Sequence, residues 1–259
     1  MSINHWPELS YEKSKGTYET IHLWTQIAGK IKLDKLPWIN HSWHVTFFVT
    51  PYGLTTGDIP DKDKHFQINF DFINHRLQII TSKKEERLLD LKSLSVASCY
   101  SNTLEILSDF GIDCQINPVP NEMENPVPLN LNTEQSDYDT QHVASLHQAL
   151  LLANEAFTRF RAGFIGKCSP VHYFWGGFDL AVSRFSGKTA PLHPGGIPNL
   201  PDWVAQEAYS HEVCSCGFWP FTSAFFVACN FATSVILSAC TNIFERRSST
   251  PAVPFSAIA

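Results

Sequence analysis

The chain has 259 residues, a formal net charge of −6, and a composition that is 44% hydrophobic and 17% charged. This length suffices for one large domain that buries roughly 70–75% of the surface its unfolded chain exposes, so neither disulfides nor a structural metal is required. Acidic residues outnumber basic ones by 25 to 19, and no basic stripe runs along the chain. The composition therefore argues against nucleic acid as a partner.

The cysteines and the N-terminal residues predict the compartment. Seven cysteines are present, an odd number, and no two have CxxC spacing. The first 16 residues lack the basic region followed by an apolar stretch that marks a secretory signal. We therefore predict free thiols in a reducing compartment, with a cytoplasmic location.

The first ninety residues predict one helix followed by antiparallel strands. Apolar residues recur at helical spacing over residues 18–31, and they alternate with polar residues over 38–50, which predicts a strand. A second alternating strand covers 66–72, and Asn74-His75 stands where a hairpin would turn back. Residues 43–91 are thus predicted to form an antiparallel meander.

The rest of the chain predicts helices, a long connector and two short strands. Residues 94–110 and 141–164 have helical patterns, and residues 118–134, with four prolines, form the connector between them. Two strands are expected around Gly176-Gly177, then a loop over 188–201 and a short helix over 202–208. The predicted fold is a single α+β domain over residues 1–220, with antiparallel sheet and three main helices.

Residues 221–259 differ from this domain in composition. The stretch 221–244 carries no charge and is long enough to cross about 30 Å of hydrocarbon as a helix. Eight serine, threonine and asparagine side chains dilute its hydrophobicity. We therefore expect an atypical apolar tail, buried, poorly ordered or replaced relative to other sequences, rather than a membrane span.

Two groups in the first half are candidates for chemistry. His41 and His44 would converge on a metal only if the backbone turns between them and a third ligand is supplied elsewhere; the alternative is that Asn40 and His41 cap a turn. Asp71 could pair with His75 and raise the basicity of that imidazole. Here the alternative is an ordinary polar hairpin face.

The densest group of reactive side chains lies in residues 166–196. It combines the cations Lys167 and Arg184 with His172, Asp179 and several aromatic side chains that could wall an apolar pocket. Further along, Glu207, His211 and Glu212 form an acid–imidazole group without the second histidine of a zincin motif. The candidate catalytic residues are His44, Asp71, His172, Asp179 and His211; candidate ligand-binding residues are Trp43, Lys167, Trp175 and Arg184; candidate ligands of a divalent metal are His41, His44, His172, His211 and Glu212.

Several sequence segments of the chain together resemble those of a known family. They include WINHSWHVTFFVT, FIGKCSPVHYFWGGFDLAVSRFSG and EAYSHEVCSCGFWP. Over about residues 5–220 the chain resembles an uncharacterised, mostly bacterial family known as a domain of unknown function. The resemblance gives no indication of an activity or of catalytic residues in this chain. It also implies a different ending after GFWP, from which residues 221–259 depart.

Three hypotheses for function follow. The first is an enzyme that acts on a small polar or anionic substrate through a cleft of histidine, aspartate and arginine side chains, with Arg184 or Lys167 holding an anionic group. The second is a module that binds a small molecule without turning it over. The third is that the 166–196 block is only a buried hairpin.

Overall fold

A computed structural model describes residues 6–222 and 224–229 of the chain. Three long helices and one short helix pack with two antiparallel sheets. This confirms the α+β class and the three main helices. The helices are α1 (Tyr11–Lys35), α2 (Val96–Asp109), α3 (Thr140–Ala162) and the short α4 (Asp202–Ala208).

The first sheet is the predicted meander. Its strands run in the order β1-β2-β4-β5-β6, and β3 pairs with β4. The alternation of apolar and polar residues correctly predicts the buried face of β4. Phe66, Ile68 and Phe70 on that face are each 2% exposed or less. The strands are β1 (Phe48–Thr50), β2 (Gly53–Thr55), β3 (Ile59–Asp61), β4 (Lys64–Asp71), β5 (Arg76–Thr81) and β6 (Glu86–Asp90).

The second sheet has the strand order β10-β9-β8-β7. The two strands expected around Gly176-Gly177 are its β7 and β8. A two-way backbone bridge between Phe47 and Tyr173 joins this sheet to the entry of the first one. The strands are β7 (His172–Phe174), β8 (Asp179–Thr189), β9 (His211–Trp219) and β10 (Ala224–Cys229).

Helix α1 is the central element, and it is longer than the apolar pattern predicts. Every residue from Thr20 to Lys32 is buried, including polar ones that an amphipathic helix would expose. These polar side chains hold neighbouring backbone. Lys32, for example, donates hydrogen bonds to the carbonyl oxygens of Thr46 and Thr56, at 2.7 Å and 2.5 Å.

The predicted strand over residues 38–50 is mostly wrong. Residues Asn40–Val45 form 3-10 turns, and only Phe48–Thr50 is a strand. His41 and Ser42 have the left-handed φ values of 57° and 55°. The His41 N–H donates to both carboxylate oxygens of Glu207, at 3.0 Å and 2.8 Å. A tertiary contact with α4 therefore stabilises turns here in place of the strand that the local pattern predicts.

Part of the predicted apolar tail belongs to the second sheet. β10 pairs antiparallel with β9 from Ala224↔Trp219 to Cys229↔Cys214. Within the described residues, the structure contains no helix with both the length and the apolar character of a membrane span. The rest of the predicted tail, residues 223 and 230–259, lies outside the described residues.

Candidate functional site

A cavity of about 420 Å³ lies against one face of the sheet formed by β7, β8 and β9. The strand register explains why there is room for it. Ala181 stands opposite Gly217, and Ser183 stands opposite Ser215, so the centre of this face carries small side chains. The two serine hydroxyls hydrogen bond to each other at 2.6 Å, so each already has one hydrogen-bond partner.

Three segments enclose the space above this floor. The 3-10 turns contribute His41 and Trp43, the proline-rich connector contributes Glu122, and α4 contributes an apolar wall that ends at Tyr209. The volume lies in the range of small-molecule sites, roughly 300–1,000 Å³. The apolar wall consists of Val204, Ala205 and Ala208, with Ile197 and Leu200 from the preceding loop.

Two carboxyl groups meet in the cavity wall. Asp179 Oδ1 lies 2.7 Å and Glu122 Oε2 3.5 Å from the point where a Cβ on Gly177 would stand. A Cβ at position 177 would displace the Asp179 carboxyl group, whereas Glu122 Oε2 would be in ordinary van der Waals contact with it. Burial, and then the negative charge of Glu122, raises the pKa of Asp179 to about 7. The surrounding protein also raises the pKa of Glu122, although this residue is exposed to solvent at the edge of the cavity.

Polar residues of α1 place Glu122 at this point. The Asn121 N–H donates to Gln26 Oε1 at 2.7 Å, Gln26 Nε2 donates to the Asn121 carbonyl at 3.0 Å, and Lys30 donates to Asn121 Oδ1. On the other side, the Glu122 N–H donates to the Pro198 carbonyl at 2.8 Å. Glu122 itself has a left-handed φ of 58°, a strained conformation that such contacts can maintain.

Two imidazoles present hydrogen-bond acceptors to the cavity. Nδ1 of His41 donates to the Ala208 carbonyl at 2.9 Å, and Nδ1 of His172 donates to the Pro170 carbonyl at 2.8 Å. A carbonyl only accepts, so in each neutral ring the Nε2 carries the lone pair. Burial lowers the pKa of His172 to about 4, so this ring is neutral at physiological pH. Among the side chains and backbone groups that the structure describes, none is hydrogen bonded to its Nε2.

The cavity brings together about half of the residues that the sequence singles out. His211 joins this group; its ring centroid is 6.0 Å from that of His41, and its Nδ1 is 2.9 Å from Ser210 Oγ. Other residues of the 166–196 block are simple core, since Tyr173 and Phe178 are 0% exposed. The predicted residues that line the cavity are His41, Trp43, His172, Trp175, Asp179 and His211.

His44 and Asp71 do not line the cavity, contrary to the expected convergence. Nδ1 of His44 accepts from the Ile39 N–H at 3.2 Å, and its ring lies against Trp38. Asp71 Oδ1 accepts from the N–H groups of Ile73 and Asn74, at 3.0 Å and 2.9 Å. The Asp71 carboxylate thus closes the β4–β5 hairpin, because a turn must satisfy its own exposed N–H groups.

The expected cations and Glu212 also lie elsewhere. Arg184 is on the opposite face of β8 from Asp179, as strand alternation requires. Its guanidinium stacks 3.7 Å from the ring centroid of Phe160 and donates to the carbonyl of that residue. Neither Arg184 nor Lys167 contributes to the cavity lining, and Glu212 accepts from Ser186 Oγ at 3.3 Å. An anionic ligand would therefore meet no predicted cation here.

No metal centre is assembled in the part of the chain that the structure describes. Within it, no three His, Cys, Asp or Glu side chains are grouped so that they could hold a metal ion. Sequence reasoning also missed Glu122, which has no motif around it. The only signal was its place in a connector with four prolines, and a connector of that kind predicts no particular contact.

The comparisons with known proteins agree with the sequence resemblance. No curated protein and no solved structure matches the chain. One family model, described as "Family of unknown function (DUF5996)", matches residues 6–233 and thus extends past Pro220 into the apolar segment. The chain therefore belongs to this family of unknown function.

Proposed function

We propose that this protein is an enzyme that acts on a small polar molecule, with Glu122 and Asp179 as its acid–base pair. The observation that carries the proposal is the meeting of two carboxyl groups beside Gly177 in the wall of a cavity of ligand size. No lysine or arginine is among the described lining residues.

The pair is suited to proton transfer near neutral pH. Two carboxyl groups that share a site cannot both ionise easily, so the pair retains a proton at a higher pH than either group alone. A pKa of about 7 for Asp179 is close to the value at which an acid both donates and recovers a proton efficiently. In the proposed step, Asp179 donates its proton to a substrate heteroatom while the Glu122 carboxylate accepts one from the substrate or from water.

The charge of the cavity selects among the substrates considered. The sequence suggests a polar or an anionic substrate, but the cationic groups expected to hold an anion face other parts of the fold. Two acidic side chains would repel an anion at short range. We therefore retain the polar substrate and drop the anionic one.

The cytoplasm remains the proposed compartment, and nucleic acid remains excluded as a proposed partner. Support for the compartment comes from the thiols, since a reducing environment keeps them unpaired. The acidic character of the cavity gives no site for a phosphate backbone. Cys99, Cys114 and Cys168 have no disulfide partner among the described residues.

A second candidate is a module that binds the same class of molecule without turnover. The arrangement of Ser183 favours it, because that hydroxyl is bonded to Ser215 rather than to a base that would activate it. Aromatic rings such as Trp43 and Trp175 in the lining would suffice for recognition. The two candidates share a site and differ only in whether the carboxyl pair performs chemistry.

A metabolite library separates the two candidates. Compounds that raise the melting temperature are incubated with the protein, and products are sought by mass spectrometry. The acid–base enzyme predicts turnover of at least one compound, with a loss of about 100-fold or more in Asp179→Asn and Glu122→Gln. Glu124→Gln, an exposed acid in the same connector, is the matched control. Binding of several compounds without any product would favour the module and overturn the enzyme.

A further inference from the structure

The charge of the cavity lining is unbalanced. Glu122 and Asp179 lie side by side in it, while the described lining residues include no lysine or arginine. Lys30 is close by, but its ammonium donates to Asn121 Oδ1 and lies 5.9 Å from the ring centroid of Trp175. Asp179 is half-buried and Glu122 is exposed, and an opposite charge at short range would stabilise both carboxylates. Such a charge would have to enter with the ligand.

The hydrogen-bonding groups of the lining point to the same kind of ligand. The Nε2 of His172 is an acceptor, and the Nε2 of His41 is one when that ring is neutral, because each Nδ1–H is already donated to a backbone carbonyl. His172 is 1% exposed, and no described group satisfies its Nε2. That nitrogen is therefore available to accept a hydrogen bond from a ligand in the cavity. The lining thus offers both carboxylate and imidazole acceptors to a molecule that carries N–H donors.

The aromatic part of the wall is also compatible with a cation. The indole N–H of Trp175 donates to the Val45 carbonyl at 3.0 Å, so that ring is fixed and contributes apolar surface to the lining. Trp43 and Tyr209 add further aromatic surface. Aromatic faces attract ammonium groups, and they also cover the hydrocarbon part of an organic amine.

We infer that the cavity binds a small organic amine in its protonated form, with the ammonium group between the carboxyl groups of Glu122 and Asp179. An ammonium group has three N–H donors and no acceptor, which matches a lining with two acidic side chains and with imidazole nitrogens that can accept. This ligand class rests on the proposed function, because it places the substrate of that enzyme in the same cavity.

Sets of three compounds that share a carbon skeleton and differ in charge test the ligand class. Three series are used: butylamine, butanol and butyrate; benzylamine, benzyl alcohol and benzoate; and tryptamine, tryptophol and indole-3-acetate. Affinities are measured by calorimetry at pH 8, where the amines keep their proton. We expect at least one amine to bind about tenfold or more tightly than its alcohol, and the carboxylate to bind more weakly still, because charge-assisted hydrogen bonds are the stronger ones.

Variants locate the effect in the cavity. Asp179→Asn and Glu122→Gln are expected to remove the preference for the amine over the alcohol, whereas Glu124→Gln retains it. Ala181→Leu fills the cavity floor and is expected to abolish binding of every probe. The ligand class is overturned if no amine binds at millimolar concentration, or if no series shows an amine that binds more tightly than its alcohol and its carboxylate. It is equally overturned if the preference survives both carboxyl variants or if binding survives Ala181→Leu.

These binding measurements are independent of turnover. An amine preference that depends on Asp179, without product from any bound amine, would overturn the acid–base function and leave the ligand class standing. Turnover of a neutral or anionic compound that depends on Asp179 would overturn the ligand class and leave the acid–base function standing.

Discussion

The carboxyl groups of Glu122 and Asp179 meet beside Gly177, although 56 positions separate the two residues in the chain. Glu122 comes from an irregular connector, and Asp179 is the first residue of β8. Their meeting depends on α1, because the side chain of Gln26 hydrogen bonds to both the backbone N–H and the backbone carbonyl of Asn121. The candidate site is therefore a product of tertiary contacts, and the following predictions test those contacts.

Replacing Asp179 by asparagine is expected to change how stability depends on pH. A carboxyl group whose pKa rises from 3.8 to about 7 on folding stabilises the fold at low pH, and this contribution is lost as the pH rises toward 7. The coupled groups Glu122, Tyr209 and Tyr173 remain in both proteins. Asp179→Asn should match the wild type near pH 4 and exceed it by on the order of 2 kcal/mol at pH 7.5, after discounting for partial exposure.

Urea unfolding of both proteins between pH 4 and pH 8 checks this prediction. A stability difference that stays constant across the range would show that Asp179 titrates normally in the folded protein.

A methyl group on Gly177 is expected to disrupt the carboxyl pair. The new Cβ would stand 2.7 Å from Asp179 Oδ1, closer than carbon and oxygen can approach, so a carboxylate must move. We expect a loss of about 1–3 kcal/mol in the free energy of unfolding, measured by urea denaturation. Gly217→Ala is the control, since its Cβ would meet nothing closer than 3.8 Å. Equal effects at both positions would contradict the crowding beside Gly177.

Enlarging Ala181 is expected to close the cavity without unfolding the protein. Ala181 is opposite Gly217 in the floor, so a leucine side chain can occupy the space that a ligand would take. Thermal shift should show loss of stabilisation by every compound that stabilises the wild type, with a similar melting temperature in the absence of compound. Ala162→Leu, an exposed position in α3, should leave the response intact. Persistent stabilisation in Ala181→Leu would place the binding site elsewhere.

His172 is expected to stay neutral and keep its proton on Nδ1 down to about pH 4. Burial lowers its pKa, and the hydrogen bond to the Pro170 carbonyl fixes the tautomer. Nitrogen NMR of the histidines, assigned with His172→Gln, checks both points. Since the ordinary pKa is 6.5, the contribution of this ring to stability should be lost as the pH falls from 6.5 toward 4. A signal that titrates near 6.5 would contradict the burial.

Arg184 is expected to matter for stability and not for ligand binding. Its guanidinium packs against Phe160 on the face of β8 away from the cavity. Arg184→Ala should lower the free energy of unfolding by about 1–3 kcal/mol through lost packing and cation–π contact, measured by urea denaturation. Affinity for cavity ligands, measured by calorimetry, should change by less than about twofold. A large loss of affinity at unchanged stability would restore Arg184 as a ligand-binding residue.

The sequence by itself determined the helices and strands in which apolar residues repeat at the spacing of a buried face. The alternation of Phe66, Ile68 and Phe70 predicts a half-buried strand, and the apolar stripe over residues 141–164 predicts a long helix, because a repeat of 2 or 3.6 residues places side chains on one face. The concentration of reactive side chains in residues 166–196 identified His172, Trp175 and Asp179 as one group. They are close in the chain, and the β7–β8 hairpin brings all three to the cavity.

Only the tertiary structure decided which other residues complete the site. Glu122 lacks a motif, and it reaches the cavity because buried polar groups of α1 must find partners, which they find in Asn121. The strand predicted around His41 gives way to turns, because the Glu207 carboxylate accepts the His41 N–H. His44 and Asp71 satisfy nearby backbone groups instead. Such contacts join residues far apart in the chain, and no local repeat records them.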